Sequence, residues 1–194
     1  MSQRDFVIPE VVIHKKLELP IEIPKGESIS DELAKIILLE IQGEPVEISE
    51  EYPAPILMGA FDVIHKVSPE LVLRLKSGKR ILIFDHWSKP VIRDESIIII
   101  DEGEYKLSEE FIPELTIEIE HVWGKFKAKD NDFSAIKKAF EEVKNLIRPS
   151  IISTIIGSAP SVLILLTQHL LYGKTAEIWY QENSLNKPVR IAKL

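Results

Sequence analysis

Apolar and polar positions change their rhythm several times along the chain, and each change marks an element. Residues 11–23 alternate as a strand does, and Pro20 and Pro24 restrict it to a sheet edge or a bend. The stretch ISDELAKIILLEIQG then switches to helical spacing at Leu33, Ile36, Ile37, Leu38 and Ile41. Ser30 is its expected N-cap and Gly43 its stop. EPVEISEEYPAP reads as a short strand entering a turn, and ILMGAFDVIHK as a second, more apolar helix. RILIFDHW, KPVIR and SIIII follow as strands. The acidic run at 101–110 reads as a surface connection.

The second half repeats this order. LTIEIEHVWGKFKA alternates as a strand, and DFSAIKKAFEEVKNLIR is an amphipathic helix. Its stripe is Phe133, Ile136, Phe140, Val143 and Ile147; Asp132 is the cap and Pro149 the stop. SIISTIIG is a strand, 161–171 an apolar helix, and TAEIWYQE and KPVRIAKL are strands. Small signposts recur as well. YPAP precedes the apolar helix of the first half and GSAP that of the second; KPVIR and KPVRI each follow a later strand. The first half is longer, and the excess falls in VSPELVLRLKSGK, read as an insertion. The expectation is an α/β protein of two similar β-α-β-α-β-β halves, 1–100 and 101–194, derived from a duplicated unit. The alternative is an ordinary α/β domain whose elements happen to alternate.

Composition narrows the possible functions. The 194 residues carry a formal net charge of −7, which argues against a dedicated binder of long nucleic acid. A small nucleotide needs only a few donors in one pocket and is not excluded. Cysteine is absent, so disulfides, thiolate chemistry and Cys-based zinc sites fall away. The first ten residues lack the apolar core of a signal peptide, and the apolar run within 161–166 is too short to span a bilayer. A cytoplasmic protein without membrane contact is therefore expected. Abundant Ile, Glu and Lys are compatible with a thermophilic source. P-loop, GxGxxG, HExxH and GxSxG motifs are all missing, which disfavours kinases, classical dehydrogenases, zinc proteases and α/β-hydrolases.

Residues 157–161, GSAPS, stand where a strand turns into a helix. Gly157 would allow close backbone approach, and Ser158 and Ser161 can donate to a phosphate beside the helix start. The competing reading is a tight turn in which one serine caps the helix. Asp85 and His86 end a strand, the place where ligands collect in α/β sheets. His86 is therefore a candidate general acid or base oriented by Asp85, against simple turn chemistry. Asp62 and His65 have the spacing of a metal pair, with a structural histidine as the plainer alternative; no metal is expected. His169 reads as a core histidine, and His14 and His121 as strand residues without partners. Trp87, Trp123, Trp179 and Tyr180 can stack on a base or fill the core. Lys89, Arg93, Lys187 and Arg190 are basic groups present in both halves, read either as ligand contacts or as edge-strand protection.

The segment IISTIIGSAPSVLILLTQHLLYGKTAEIWYQE, with its trailing KPVRI, resembles the strand–turn–helix–strand segment of CARF-type domains of CRISPR systems. The trailing KPVRI is also similar to the small ring nucleases related to them. The resemblance covers about 75 residues well and the first half loosely. It implies Rossmann-like or ferredoxin-like halves that bind cyclic oligoadenylate, a small cyclic nucleotide, with cleavage of the ring as an option. His86 with Asp85 would then be catalytic, and Gly157, Ser158, Ser161, Lys89 and Lys187 would hold the ligand. No cofactor is implied, and either the fused pair or a homodimer would supply the usual two-fold arrangement. The turn lacks the Lys or Arg common in that family, which leaves backbone N–H groups, the two serines and Lys89 and Lys187 for the phosphates. The rival expectation is a non-enzymatic interaction or assembly protein.

Overall fold

The computed structural model describes residues 9–87, 90–100 and 108–194. In the first half the order is β1 (Glu10–Val11), β2 (Lys15–Lys16), α1 (Ile29–Ile41), β3 (Val46–Ser49), α2 (Ala54–Val67), β4 (Glu70–Arg74), β5 (Arg80–Asp85), β6 (Val91–Ile92) and β7 (Ile97–Ile99). The second half runs β8 (Glu114–Glu118), α3 (Ile119–Gly124), α4 (Phe133–Lys144), β9 (Ile152–Ile156), α5 (Ser161–Leu171), β10 (Glu177–Gln181) and β11 (Val189–Lys193). The protein is α/β, as expected. Among the described residues no helix is long and apolar enough to cross a membrane.

The larger sheet has the order β2-β3-β4-β5-β7 and the smaller β11-β10-β9-β8. In one, β2, β3 and β4 are parallel and β5 returns antiparallel; in the other, β8, β9 and β10 are parallel and β11 returns antiparallel. The two halves thus share strand order and direction, with α1 and α2 in the connections of one and α4 and α5 in those of the other. This likeness concerns topology, and duplication of an ancestral unit stays a proposal.

The correspondence differs from the one the sequence suggests. VSPELVLRLKSGK is no insertion: it holds β4, whose Leu71, Val72 and Leu73 are fully buried, and the hairpin turn into β5. β11 therefore corresponds to β5. KPVIR instead contributes β6, which pairs with β1 in a separate two-stranded ribbon. The KPV signposts mark unrelated positions, and the AP signposts are out of register: Ala54 and Pro55 lie inside α2, whereas Pro160 is the N-cap of α5 and corresponds to Pro53. Other boundaries shift as well. Residues 11–23 form only the ends of β1 and the short β2, because the Pro-containing stretch makes few ladder bonds. Alternation in LTIEIE ends at Glu118, where α3 begins. The α1 cap is Ser28, whose hydroxyl accepts from Asp31 N at 3.1 Å; Ser30 lies inside the helix, bonded to Asp62. Helix α1 buries Leu33, Ile37 and Ile41 and exposes Ile36 and Leu38. The Asp132 cap on α4 is present, accepting from Ala135 N at 3.1 Å.

The halves meet where α2 packs on α5 and each of these helices touches the returning strand of the other half, α2 on β11 and α5 on β5. Phe61, Leu57, Leu163, Leu165 and Leu171 are buried there, each contributing about 1.5–3 kcal/mol of apolar transfer. Polar bonds fix the register across the junction. Gln168 Nε2 donates to Met58 O at 2.9 Å, and Tyr172 Oη donates to buried Asp62 at 2.7 Å. Burial, together with the Asp62 charge, pushes the Tyr172 phenol far above its ordinary range.

Candidate functional site

The junction brings two helix starts to one opening. Pro53 occupies the N-cap position of α2 and Pro160 that of α5, with backbone angles of φ −56°, ψ 149° and φ −54°, ψ 138°. Neither helix has a side-chain cap bond, and neither has an acidic residue in its first turn. The first helical bonds are also matched: Leu57 N to Pro53 O and Ile164 N to Pro160 O, both 3.1 Å. The N–H groups of Ala54 and Ile56, and of Ser161, Val162 and Leu163, precede those bonds and have no partner within the helix. Each helix start therefore carries about half a positive charge with nothing in its own first turn to neutralise it.

Between them lies a pocket of about 530 Å³. The first half lines it with Pro53, Ala54, Pro55 and Ile23, an apolar wall. The second half supplies the polar side chains: Ser158, Ser161, Glu182, Asn186 and Lys187. Tyr180 lies at the same wall, its hydroxyl donating to Gly157 O at 3.1 Å. The parallel strands β3 and β9 point their carboxyl ends toward these helix starts, the usual ligand edge of an α/β sheet.

Of the residues the sequence singled out, Ser158, Ser161 and Lys187 line this pocket together. The serine-cap reading is corrected, because Pro160 occupies the N-cap and Ser161 is the first helical residue. Gly157 is not among the lining residues. It serves the turn: its φ is +100°, and a Cβ there would meet Glu120 Cβ at 2.3 Å. Its N–H donates to Gln181 O at 2.9 Å, tying the turn to β10. Lys89 lies outside the described residues. Glu182 and Asn186 are not among the residues the sequence singles out; the pairing of β9 with β10 sets Glu182 beside the turn at 157–158.

Asp85 and His86 are elsewhere. β5 runs antiparallel to β4, so its carboxyl end sits beside the amino ends of the parallel strands, away from the pocket. Asp85 accepts from Trp87 N at 2.7 Å and is ion-paired with Arg93, which leaves the turn role rather than the orientation of His86. The His86 ring instead lies 4.8 Å from the ring of His65, which is stacked 4.3 Å from Tyr172, with His169 5.7 Å away. Burial first, then the fields of His86 and His169, hold His65 down at about 4. Burial and His169 lower His86 in the same direction. Asp62 is taken by Ser30, Lys66 and Tyr172, and among the described residues no group of ligands is placed to hold a metal.

A second cleft, of about 620 Å³, lies beneath the β1–β6 ribbon. Its charged groups largely satisfy one another. Arg80 binds Glu47 at 2.6 Å and Asp94 at 3.0 Å, and Arg93 binds Glu70 at 2.9 Å. His14, expected to lack partners, is held between Glu70 and Arg80. An arginine only donates, so Nδ1 accepts from Arg80 and Nε2 carries the proton shared with Glu70. His121 is in α3, not in a strand. Arg190 is committed to Glu27 O and Glu177 beside Trp179. No protein-family model, curated protein or solved structure matches the chain.

Proposed function

We propose that the protein binds a small cyclic nucleotide, a cyclic oligoadenylate of prokaryotic CRISPR defence, in the pocket between α2 and α5. The observation that carries this reading is the pair of equivalent, uncapped helix starts facing a single opening. Phosphate oxygens would accept from the free N–H groups and from Ser158 and Ser161, with Lys187 supplying the nearest positive side chain. The apolar wall of Pro53, Pro55 and Ile23 suits the face of a base or ribose. A cytoplasmic receptor belongs to this reading, as does a second copy of the chain as an optional partner. Among the described residues no histidine lines the pocket, so the reading is one of binding. Ring cleavage by His86 has no support from its position.

Calorimetric titration with rings of three, four and six adenylates, with chromatography of the same samples, tests it. Binding to one ring, weakened at least tenfold by Ser161→Asp in a folded protein, is the expected result. Failure of the folded wild-type chain to bind any ring would overturn it. An assembly role is favoured by one feature, the exposure of Ile36, Leu38 and Leu39 on α1. In that case sedimentation would show self-association removed by Leu39→Lys and indifferent to nucleotides.

A further inference from the structure

Charge in the pocket is nearly balanced, and that balance selects among phosphates. Among the described residues the pocket is lined by one acidic and one basic side chain, Glu182 and Lys187, of opposite charge. What remains is the partial positive charge of the two helix starts, together about one unit. Glu182 follows β10 directly. Gln181, the residue before it, pairs with Ile156 and accepts from Gly157 N, which sets Glu182 beside the turn before α5, where it lines the pocket with Ser158 and Ser161. Asn186 Nδ2 donates to Glu182 at 2.9 Å and holds it in this region. Burial first, then the charges of Glu182 and Glu120, push the Tyr180 phenol above its ordinary range, so the Glu182 field reaches the pocket wall.

We infer that Glu182 makes the pocket selective for phosphodiesters, which carry one negative charge, against phosphomonoesters, which carry close to two. This rests on the proposed nucleotide reading and refines it. A diester neutralises the helix starts without excess. The second charge of a monoester meets the Glu182 carboxylate, and among the described lining residues Lys187 is the one cationic side chain to offset it. A closed ring, having only diester links, is accepted, and a linear nucleotide with a terminal phosphate is rejected. At this partly exposed site the discrimination is about fivefold.

The test separates charge from ring closure by comparing two linear dinucleotides, one unphosphorylated and one carrying a 5′-phosphate, alongside the cyclic oligoadenylates. In the wild-type protein the added 5′-phosphate is expected to weaken binding about fivefold at pH 7.5. The penalty should shrink at pH 5, where the monoester dianion takes up one proton and becomes a monoanion. Glu182→Gln, which keeps the shape and removes the charge, is expected to abolish the penalty. An equal or tighter affinity for the phosphorylated dinucleotide in wild type overturns the inference, as does a penalty unchanged in Glu182→Gln. Both results leave ring binding standing. If neither rings nor dinucleotides bind the folded protein, the nucleotide reading itself falls and takes this inference with it.

Discussion

Replacing Gly157 by alanine probes the turn that shapes the pocket, and its cost can be worked out from two separate contributions. The first is the backbone. At φ +100° an L-residue lies outside even the left-handed helical region, which costs about 1–2 kcal/mol. The second is contact: the new methyl would lie 2.3 Å from Glu120 Cβ, 3.0 Å from Glu120 Oε2 and 3.3 Å from Glu120 N. The carboxylate can swing away, but the Cβ and N are fixed by α3, so the turn must move, at about 1–3 kcal/mol for an overpacked site. Gly173 supplies the control. It also has positive φ, +79°, yet nothing lies within 4 Å of its added Cβ, so Gly173→Ala pays only the backbone share. Urea unfolding of both variants is the assay. Gly157→Ala should lose about 3–4 kcal/mol and Gly173→Ala about 1 kcal/mol. In a domain of this size the first loss would lower Tm by about 10 °C. Equal losses in the two variants would refute the argument, because the Glu120 contact would then count for nothing.

Three further outcomes follow from the same geometry. Tyr172→Phe removes the donor to buried Asp62 and should cost about 1–3 kcal/mol by denaturant melt, the worth of leaving a buried carboxylate oxygen unpaired. His65 is held near 4 in the folded state, below the 6.5 of an unfolded histidine, so the stability of its neutral form is present above pH 6.5. That stability is lost as pH falls from 6.5 toward 4; discounted for partial exposure it amounts to about 1 kcal/mol, and His65→Gln should flatten the stability profile in that window. Finally, His86→Ala should leave nucleotide affinity, and any turnover found in the wild-type chain, within about twofold, as kinetics and calorimetry on a folded sample would show.

Much of the architecture was legible because burial imprints a period. The stripe of α4 and the apolar length of α5 appear directly in the order of residues, and the Asp132 cap is local chemistry. β4 was missed for an equally physical reason. A strand covered on both faces shows a continuous apolar run instead of alternation, and ELVLR, flanked by Ser-Pro and Ser-Gly, resembles a loop excursion. That one omission displaced the whole correspondence, turning KPVIR into a false match for KPVRI. Strand direction was the other thing the sequence withheld. His86 follows the end of β5 directly, but whether that end faces the ligand edge depends on β5 pairing antiparallel with β4, a nonlocal fact. Ser158 and Ser161 were recognisable because a turn and the helix after it are local. Glu182 was hidden because its neighbour in space lies 24 residues earlier, across the β9–β10 pair.

The pocket follows from how the two halves are joined. In each half the second crossover helix begins at the carboxyl edge of the parallel strands, which gives one positive helix start per half. Alone, each is a weak attraction on a protein surface, worth about 0.3–1 kcal/mol to an anion. Packing α2 against α5, fixed by the Gln168–Met58 and Tyr172–Asp62 bonds, brings both starts to one opening. With no acid in either first turn, two like partial charges then face a shared cavity, an arrangement that an anion between them relieves. Among the described residues Glu182 is the acidic side chain that lines the opening, and it offsets part of the positive field. The same junction places His65, His86 and His169 toward the far ends of α2 and α5, where their rings pack against Phe61 and Phe84. Polarity is thus divided along the two helices, with anion-seeking N–H groups at their starts and a cluster of histidine and aromatic rings toward their ends. The chemistry of the candidate site comes from where these helices begin.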